Sequence, residues 1–326
     1  LHRAECRRVE RDARFPELSR RVREFDLVIG TGGGYLTDCH RKQALRVLWT
    51  LRVAQMQGVP TALFGQGIGP LDRGPLERLA ANVLARADLI GLREADRGAE
   101  WLKRWGVDQS RVVATGDDAV ELAYCGEVVP VGSRIGLNMR ICNYAGFGVD
   151  DAQRVARVVG EFAKREDSPI QPLVVTTNVG EADDTALNGI YATSTSGCHG
   201  DDDGALIDSI ATCRVIVTGS YHAAVFALAQ GIPAIGIVGS DYYLHKFSGL
   251  AEFFGSGCAM FRAHRDGIDA LDAMLSSQWQ NAPKLRDELR RAAARQVELS
   301  KSLYDQLQEV VLRRSYRPMR ERSSCA

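Results

Sequence analysis

The sequence predicts the α/β class: two wound parallel sheets in succession, each flanked by helices. Three observations predict it. The chain has 326 residues, too many for one ordinary core and suited to two domains of about 150 residues each. Short runs rich in β-branched and aliphatic residues alternate with longer amphipathic stretches, the pattern of βα units in a parallel sheet. That alternation stops at Tyr124–Ser133 and then starts afresh, which sets a domain boundary at 126/127.

In the first half, Asp26–Gly30 reads as a buried strand running into a glycine loop, Thr31-Gly-Gly-Gly-Tyr35. A helix over 41–57 follows and stops at Gly58-Val-Pro60. The strand Thr61–Gly65 enters a second loop, Gln66-Gly-Ile-Gly-Pro70, and Pro75 sits well in the first turn of a helix over 74–86. Strand 88–92, helix 94–105 and strand 111–114 complete residues 1–126. The second half, 127–326, opens with the strand Arg134–Asn138 and continues with helix 150–164, strand 172–176, helix 201–213, strand 214–218, helix 221–230 and strand 234–237. The stretch 283–313, rich in Leu, Arg, Glu and Ala, reads as a long terminal helix. Two Rossmann-like halves with a late helix predict a glycosyltransferase-B-like architecture. In such a fold the ligand lies at the carboxyl ends of strands facing the inter-domain crevice. The chain opens on Leu1 and its first methionine is Met56, so the first half is expected to lack its first strand and loop.

Composition excludes several classes. The 41 basic and 41 acidic residues cancel, so there is no surplus for a nucleic-acid footprint; the basic runs near each end are interleaved with acids and read as solvated helix faces. No apolar run reaches the roughly 18 residues of a membrane span, and the charged start is not a signal peptide. Eight cysteines without a C-x-x-C pair, and six histidines without ligand spacing, predict reduced thiols, no metal site and a cytoplasmic protein.

Glycines after a buried strand let bare backbone amides approach a ligand, which makes Gly32, Gly33 and Gly34 candidate contacts, although Tyr35 breaks the dinucleotide pattern G-x-G-x-x-G. Gln66 and Gly67 should emerge on the same sheet edge. Asp38 there either orients a hydroxyl or caps the next helix. The strongest constellation is Thr218-Gly-Ser-Tyr-His222 followed by Ala223 and an apolar helix. A strand ends, a small polar loop turns, and a helix start offers donors and partial positive charge to a phosphate or carboxylate through Ser220, Tyr221 and Ala223. His222 is placed to donate a proton to such a ligand, or else packs at the domain interface. Ser220 is equally an N-cap. Arg140, beyond a strand end, suits bidentate grip of a carboxylate or phosphate; Arg93 does likewise or pairs with Glu94 or Asp96. Asp117, in Gly116-Asp-Asp118, orients a sugar or caps a segment. Asp201-Asp-Asp203 reads as an acidic helix start rather than a cation site. Tyr242, Tyr243, His245 and Lys246 line the pocket or form an exposed helix start.

Taken in order, Asp26–Gly34, Phe64–Pro70, Gly91-Leu-Arg-Glu94, Thr115-Gly-Asp-Asp118 and His222–Pro233 resemble the polysaccharide pyruvyl transferase family over about 26–240. The resemblance implies transfer of pyruvate from phosphoenolpyruvate, as co-substrate and without a cofactor, onto a pair of sugar hydroxyls as a ketal. It implies that His222 binds phosphoenolpyruvate and acts as acid, with Arg140 or Arg93 at a basic donor position. It also places Ser220 where the family has an arginine (Ser-Arg-Leu-His against Gly219-Ser-Tyr-His222), and a Gly-Asn-x-Gly-Asp loop of the family is absent. Two other readings remain: a nucleotide-sugar glycosyltransferase, in which the helix after Ser220 holds a diphosphate, and a non-catalytic sugar- or nucleotide-binding relative.

Overall fold

The computed structural model describes residues 14–72, 74–124, 130–141, 145–176 and 203–315. They divide into two units: one takes the chain up to Asp117 and again from Glu298 onward, the other is Asp118–Val297. The sequence reading set the division at 126/127 and gave the end of the chain to the second half. The structure divides it earlier because Val120 and Ala123 pack into the second core, and it returns the end of the chain to the first unit because Leu303 and Leu307 pack there.

The first unit contains α1 (Arg14–Val22), β1 (Val28–Gly30), β2 (Gly33–Leu36), α2 (Arg41–Met56), β3 (Thr61–Ile68), α3 (Pro75–Leu84), β4 (Leu89–Leu92), α4 (Ala95–Arg104) and β5 (Val112–Ala114). Its sheet runs β1-β3-β4-β5, all pairs parallel. Every residue of β3 is buried, as expected of a central parallel strand covered on both faces. One face, with Leu63 and Ile90, packs on Leu48 and Leu51 of α2, Ala80, Val83 and Leu84 of α3, and Leu102 of α4. The other face, Ala62, Phe64 and Leu89, is closed by Leu303 and Leu307 of the final helix α10 (Ile268–Ser315), where Tyr304 stacks on Phe64 with ring centroids 4.4 Å apart. Gly91 is matched to this lid: a Cβ there would lie 2.6 Å from Leu303.

Two segments read as loops are strand. Gly33–Leu36 forms β2, which pairs with the far half of β3 at Gly33↔Gln66 and Leu36↔Ile68, and β3 itself continues through Gln66-Gly-Ile68. Glycine punctuates a sequence as a turn, but here it lets two backbones lie edge to edge.

The second unit contains α5 (Val120–Ala123), β6 (Arg134–Asn138), α6 (Val149–Arg165), β7 (Ile170–Pro172), α7 (Asp203–Ala211), β8 (Cys213–Thr218), α8 (Tyr221–Ala229), β9 (Ala234–Val238), α9 (Asp241–Phe254), β10 (Cys258–Arg262) and the larger part of α10. Its sheet order is β10-β9-β8-β6-β7, again all parallel. Apart from His222, every residue of α8 is buried, which is the mark of a helix enclosed on all sides. The strand expected at 172–176 ends at Pro172. β10 was not anticipated: Cys-Ala-Met-Phe-Arg has no β-branched residue and only two of its five positions are fully buried. The terminal helix begins at Ile268, well ahead of the expected 283, with Pro283 inside it. Asp203 opens α7 with its carboxylate in the first turn, while Asp201 and Asp202 lie outside the described residues. Among the described residues no helix is long and apolar enough to cross a membrane.

Replacing Leu303, fully buried, by alanine is expected to cost about 2–5 kcal/mol. The same change at Leu299, 40% exposed one turn earlier, should cost under about 0.5 kcal/mol. Urea unfolding of the two variants checks the pair.

Candidate active site

In the second unit β6 and β8 are neighbours, yet the chain leaves them in opposite directions across the sheet, from β6 outward to β7 and from β8 outward to β9. Ligands of open parallel sheets lie beyond the carboxyl ends of such a pair. The described strands of the first unit follow one direction only. Topology therefore points to the β6–β8 edge.

The two strands end level, with Asn138 opposite Thr218. Thr218 Oγ1 donates to Asn138 Oδ1 at 3.1 Å and accepts from the Ser220 amide at 2.9 Å. Asn138 Nδ2 donates to the Leu173 carbonyl at 2.9 Å, and the Gly219 amide donates to the Asn138 carbonyl at 3.2 Å. This buried lattice sets the turn into α8. It also brings Gly219 so close to Arg140 that a Cβ on Gly219 would lie 3.0 Å from the Arg140 amide nitrogen and 3.2 Å from its Cβ. Arg140, half-buried, and the segment Gly219–His222 thus occupy one place.

Ser220 is the N-cap of α8, in extended conformation and 1% exposed, but its side chain makes no capping hydrogen bond. An N-cap serine ordinarily accepts from an amide of the first turn. No acidic residue stands in that turn to answer the helix dipole. His222 is exposed, its ring edge-on to Tyr221 at 5.7 Å and tilted against Phe226 at 6.4 Å. Tyr221 and Ala223 are buried, with the Tyr221 ring against Phe247 at 6.2 Å, so these two face the site only through their backbone. At the next strand end Ser240 caps α9, accepting from the Tyr243 amide at 3.4 Å. Tyr242, Tyr243 and His245 are buried and Lys246 is half-exposed, so this segment is not an exposed helix start.

The first-unit motifs interlock with one another. Arg93, 2% exposed, meets Glu94 Oε1 at 2.8 Å through Nε and Asp117 Oδ2 at 3.4 Å through Nη1. The pairing with Glu94 is one of the alternatives read from sequence; the pairing with Asp117 was not foreseen. Gly67 lies directly over the pair, where a Cβ would sit 2.7 Å from Arg93 Nη2 and 2.9 Å from Glu94 Oε2. Gln66, fully buried, donates to the carbonyls of Gly33 at 2.6 Å and Gly67 at 2.8 Å. Arg93 and Asp117, each left in sequence between a ligand contact and a structural role, thus meet in the interior, and Gln66 is spent on the backbone of Gly33 and Gly67. Asp38 ties the segment after β2 to the turn after β3, accepting from the Asp72 amide at 2.5 Å and pairing with Arg41 at 3.3 Å. The Tyr35 hydroxyl donates to the Thr31 carbonyl at 2.6 Å. Gly32 is exposed and Gly33 and Gly34 are half-exposed, so what this edge presents to solvent is mainly backbone.

Sequence reasoning missed Asn138 and Thr218; a polar residue closing an otherwise apolar buried strand was the available signal. Among the described residues no group of three or more His, Cys, Asp or Glu side chains is placed to hold a metal ion. Burial pushes the Cys213 and Cys258 thiols up to about 12, which removes them as nucleophiles near neutral pH.

Residues 3–241 match the family model described as polysaccharide pyruvyl transferase. No curated protein matches. The fold is shared with solved structures. The Staphylococcus aureus MnaA–UDP complex is 12% identical, covering 93% of this chain and 80% of that one, with TM-score 0.59. The Neisseria meningitidis UDP-GlcNAc 2-epimerase bound to UDP-GlcNAc is 13% identical, covering 90% and 80%, with TM-score 0.54. The glycotransferase of kitacinnamycin is 14% identical, covering 94% and 82%, with TM-score 0.54. Two Rossmann-like units of the glycosyltransferase-B kind are thus the fold of this chain. By the family match the chain belongs to the polysaccharide pyruvyl transferases and is a transferase.

Removing Arg93 with alanine strands two buried carboxylates and should cost about 3–5 kcal/mol in urea unfolding. Burial raises the Tyr35 phenol from 10 to about 12. The folded state thus favours the neutral phenol, and the stability this gives is whole below pH 10 and lost as pH rises to 12. A 295 nm titration should show a late tyrosine in the wild type that Tyr35→Phe lacks, and the melting temperature of wild type should fall more than that of the variant over this range.

Proposed function

We propose that this member of the family moves the pyruvyl group of phosphoenolpyruvate onto two hydroxyls of a sugar, releasing inorganic phosphate. The observation that carries the reading is the start of α8 at the β6–β8 edge: a buried N-cap serine without a capping bond, no acid in the first turn, Arg140 against Gly219, and an exposed His222. A helix start with these neighbours suits a small, doubly anionic ligand. The Arg140 guanidinium suits the carboxylate in bidentate fashion. The Ser220 hydroxyl and the opening amides of α8 suit the phosphate.

The chemistry then follows from one acid. His222 gives a proton to the methylene carbon, C3, and C2 becomes an oxocarbenium ion. The first sugar hydroxyl adds to C2 and its proton returns to the imidazole. The bond between C2 and the phosphate oxygen breaks, phosphate leaves with the electron pair, and the second hydroxyl adds to C2 to close the ketal, giving up its proton to the departing phosphate. Fixed dipoles and cations around the departing phosphate stabilise the charge that develops there. These steps need no metal or redox cofactor. Its acceptor is a sugar of a polysaccharide or a glycosylated metabolite, and the cytoplasm supplies the donor.

A second reading has one observation in its favour. Ser220 stands where the family resemblance has an arginine, and two of the proteins sharing this fold are named with UDP or UDP-GlcNAc bound. In that reading the start of α8 holds the diphosphate of a nucleotide sugar.

Calorimetry with phosphoenolpyruvate beside UDP- and GDP-sugars separates the two. Phosphoenolpyruvate is expected to bind, and phosphate release in the presence of acceptor is expected to fall about 100-fold or more in His222→Ala. Binding of a nucleotide sugar alone gives the site to the second reading.

A further inference from the structure

We infer that the second unit carries a saccharide-binding pocket apart from the α8 site, one that takes a single neutral, hydroxyl-rich ring. The pocket lies between the turn Gly255–Gly257, which joins α9 to β10, and an early stretch of α10. Its volume is about 270 Å³, at the lower end of small-molecule sites. The turn precedes β10 in a sheet whose strands all run parallel. It therefore belongs to the amino edge, opposite the edge at which α8 begins. Binding there is independent of which donor the α8 site takes.

The walls are fixed. α10 lies so close over Gly257 that a Cβ there would strike Leu289. Pro283, inside α10, has no N–H, so the Trp279 carbonyl lacks its helical donor. Arg214 Nε, at the foot of β8, donates to that carbonyl at 2.9 Å, and the guanidinium lies 4.7 Å from the centroid of the Trp279 ring. The helix is thus tied to the sheet at the level of the pocket.

What the lining offers is oxygen. Gln278, 7% exposed, donates through Nε2 to the Ser256 carbonyl at 2.8 Å, and its Oε1 has no hydrogen-bond partner. A buried side-chain acceptor without a donor is exceptional in a folded protein. Because Gln278 is itself a wall of the pocket, a hydroxyl bound there is the donor at hand. Asn281 Nδ2 donates to the Ser277 carbonyl at 2.9 Å. Each amide has turned its nitrogen to a backbone carbonyl, which leaves its oxygen to accept. The Glu288 carboxylate adds further acceptors, the Lys284 ammonium adds donors, and Leu285 an apolar strip.

These groups select against charged and planar ligands. Lys284 and Glu288 stand one helical turn apart and offset each other, so no net charge draws an anion, and the amide oxygens repel one. Among the described residues that line the pocket none is aromatic, which leaves a nucleobase without a stacking face. A sugar ring meets every requirement. Its hydroxyls donate to the amide and carboxylate oxygens and accept from the lysine, while its C–H groups lie on Leu285.

The test is saturation-transfer NMR on the full chain with the methyl glycosides of glucose, galactose, mannose and N-acetylglucosamine. Wild type, Asn281→Leu and Glu288→Ala are compared, with melting temperatures recorded throughout. At least one glycoside is expected to bind wild type with a Kd of about 1–10 mM. Asn281→Leu fills the pocket and removes an acceptor, and should weaken that glycoside about tenfold or more. No binding by any of them, or wild-type affinity in a folded Asn281→Leu, overturns the inference. Glu288→Ala, at an exposed position, should weaken the same glycoside about three- to tenfold. It decides the matter should Asn281→Leu fail to fold, and an unchanged affinity then overturns the inference. Inorganic phosphate is the control for charge and is expected not to displace the glycoside. Displacement in wild type that disappears in Lys284→Met gives the pocket to an anion and overturns the inference as well.

Discussion

Everything at the candidate site depends on one close approach, that of the Gly219 backbone to the Arg140 backbone. It is possible because β6 and β8 end level and because residue 219 has no side chain. A Cβ at that position would lie 3.0 Å from the amide nitrogen and 3.2 Å from the Cβ of Arg140, a tight contact that asks one of them to give. Thr218 and Asn138 fix the same geometry from beneath with hydrogen bonds shielded from water. A buried polar lattice of this kind orients groups more than it adds stability. Its product is an arginine, a histidine and a helix start at one edge, with distances set by backbone and not by the reach of flexible side chains.

The first unit applies the same logic differently. Its recurring motifs, open in sequence between ligand contacts and structural roles, supply side chains and backbone that pair with one another. Gln66 holds Gly33, Gly67 lies on Arg93 and Glu94, and Arg93 reaches Asp117. An ion pair with each member below a tenth exposed gains little over an apolar core of the same volume, but it specifies geometry, because any displaced member strands a charge. Motif spacing that survives as an ordered pattern in the sequence can therefore report a scaffold as readily as a binding face.

Much of the fold was legible because parallel strands buried on both faces leave continuous apolar runs. Thr61–Leu63, Leu89–Leu92, Arg134–Asn138 and Cys213–Thr218 were each recognised within a few residues. The start of α8 was legible too, since a strand, a small polar loop and an apolar helix follow one another without interruption. β10 was not, lacking β-branched residues and lying at the sheet edge. β2 was not, because glycine in a strand is indistinguishable in sequence from glycine in a turn. The burial of Gln66, Arg93 and Asp117 was hidden for another reason: their partners come from separate βα units, and no local pattern states which polar residues meet.

The final helix has a temporal consequence. Ala62, Phe64 and Leu89 are covered on one face by Leu303 and Leu307, with Tyr304 on Phe64 and Leu27 and Val113 at the margin of the cluster, so a central strand of the first unit waits for residues some 240 positions further along the chain. During synthesis at about 5–20 residues per second, that apolar face stands open while the whole second unit is being made. Contacts of such sequence separation slow folding through the entropy of closing the intervening loop. The first unit, begun before the second, is thus finished after it.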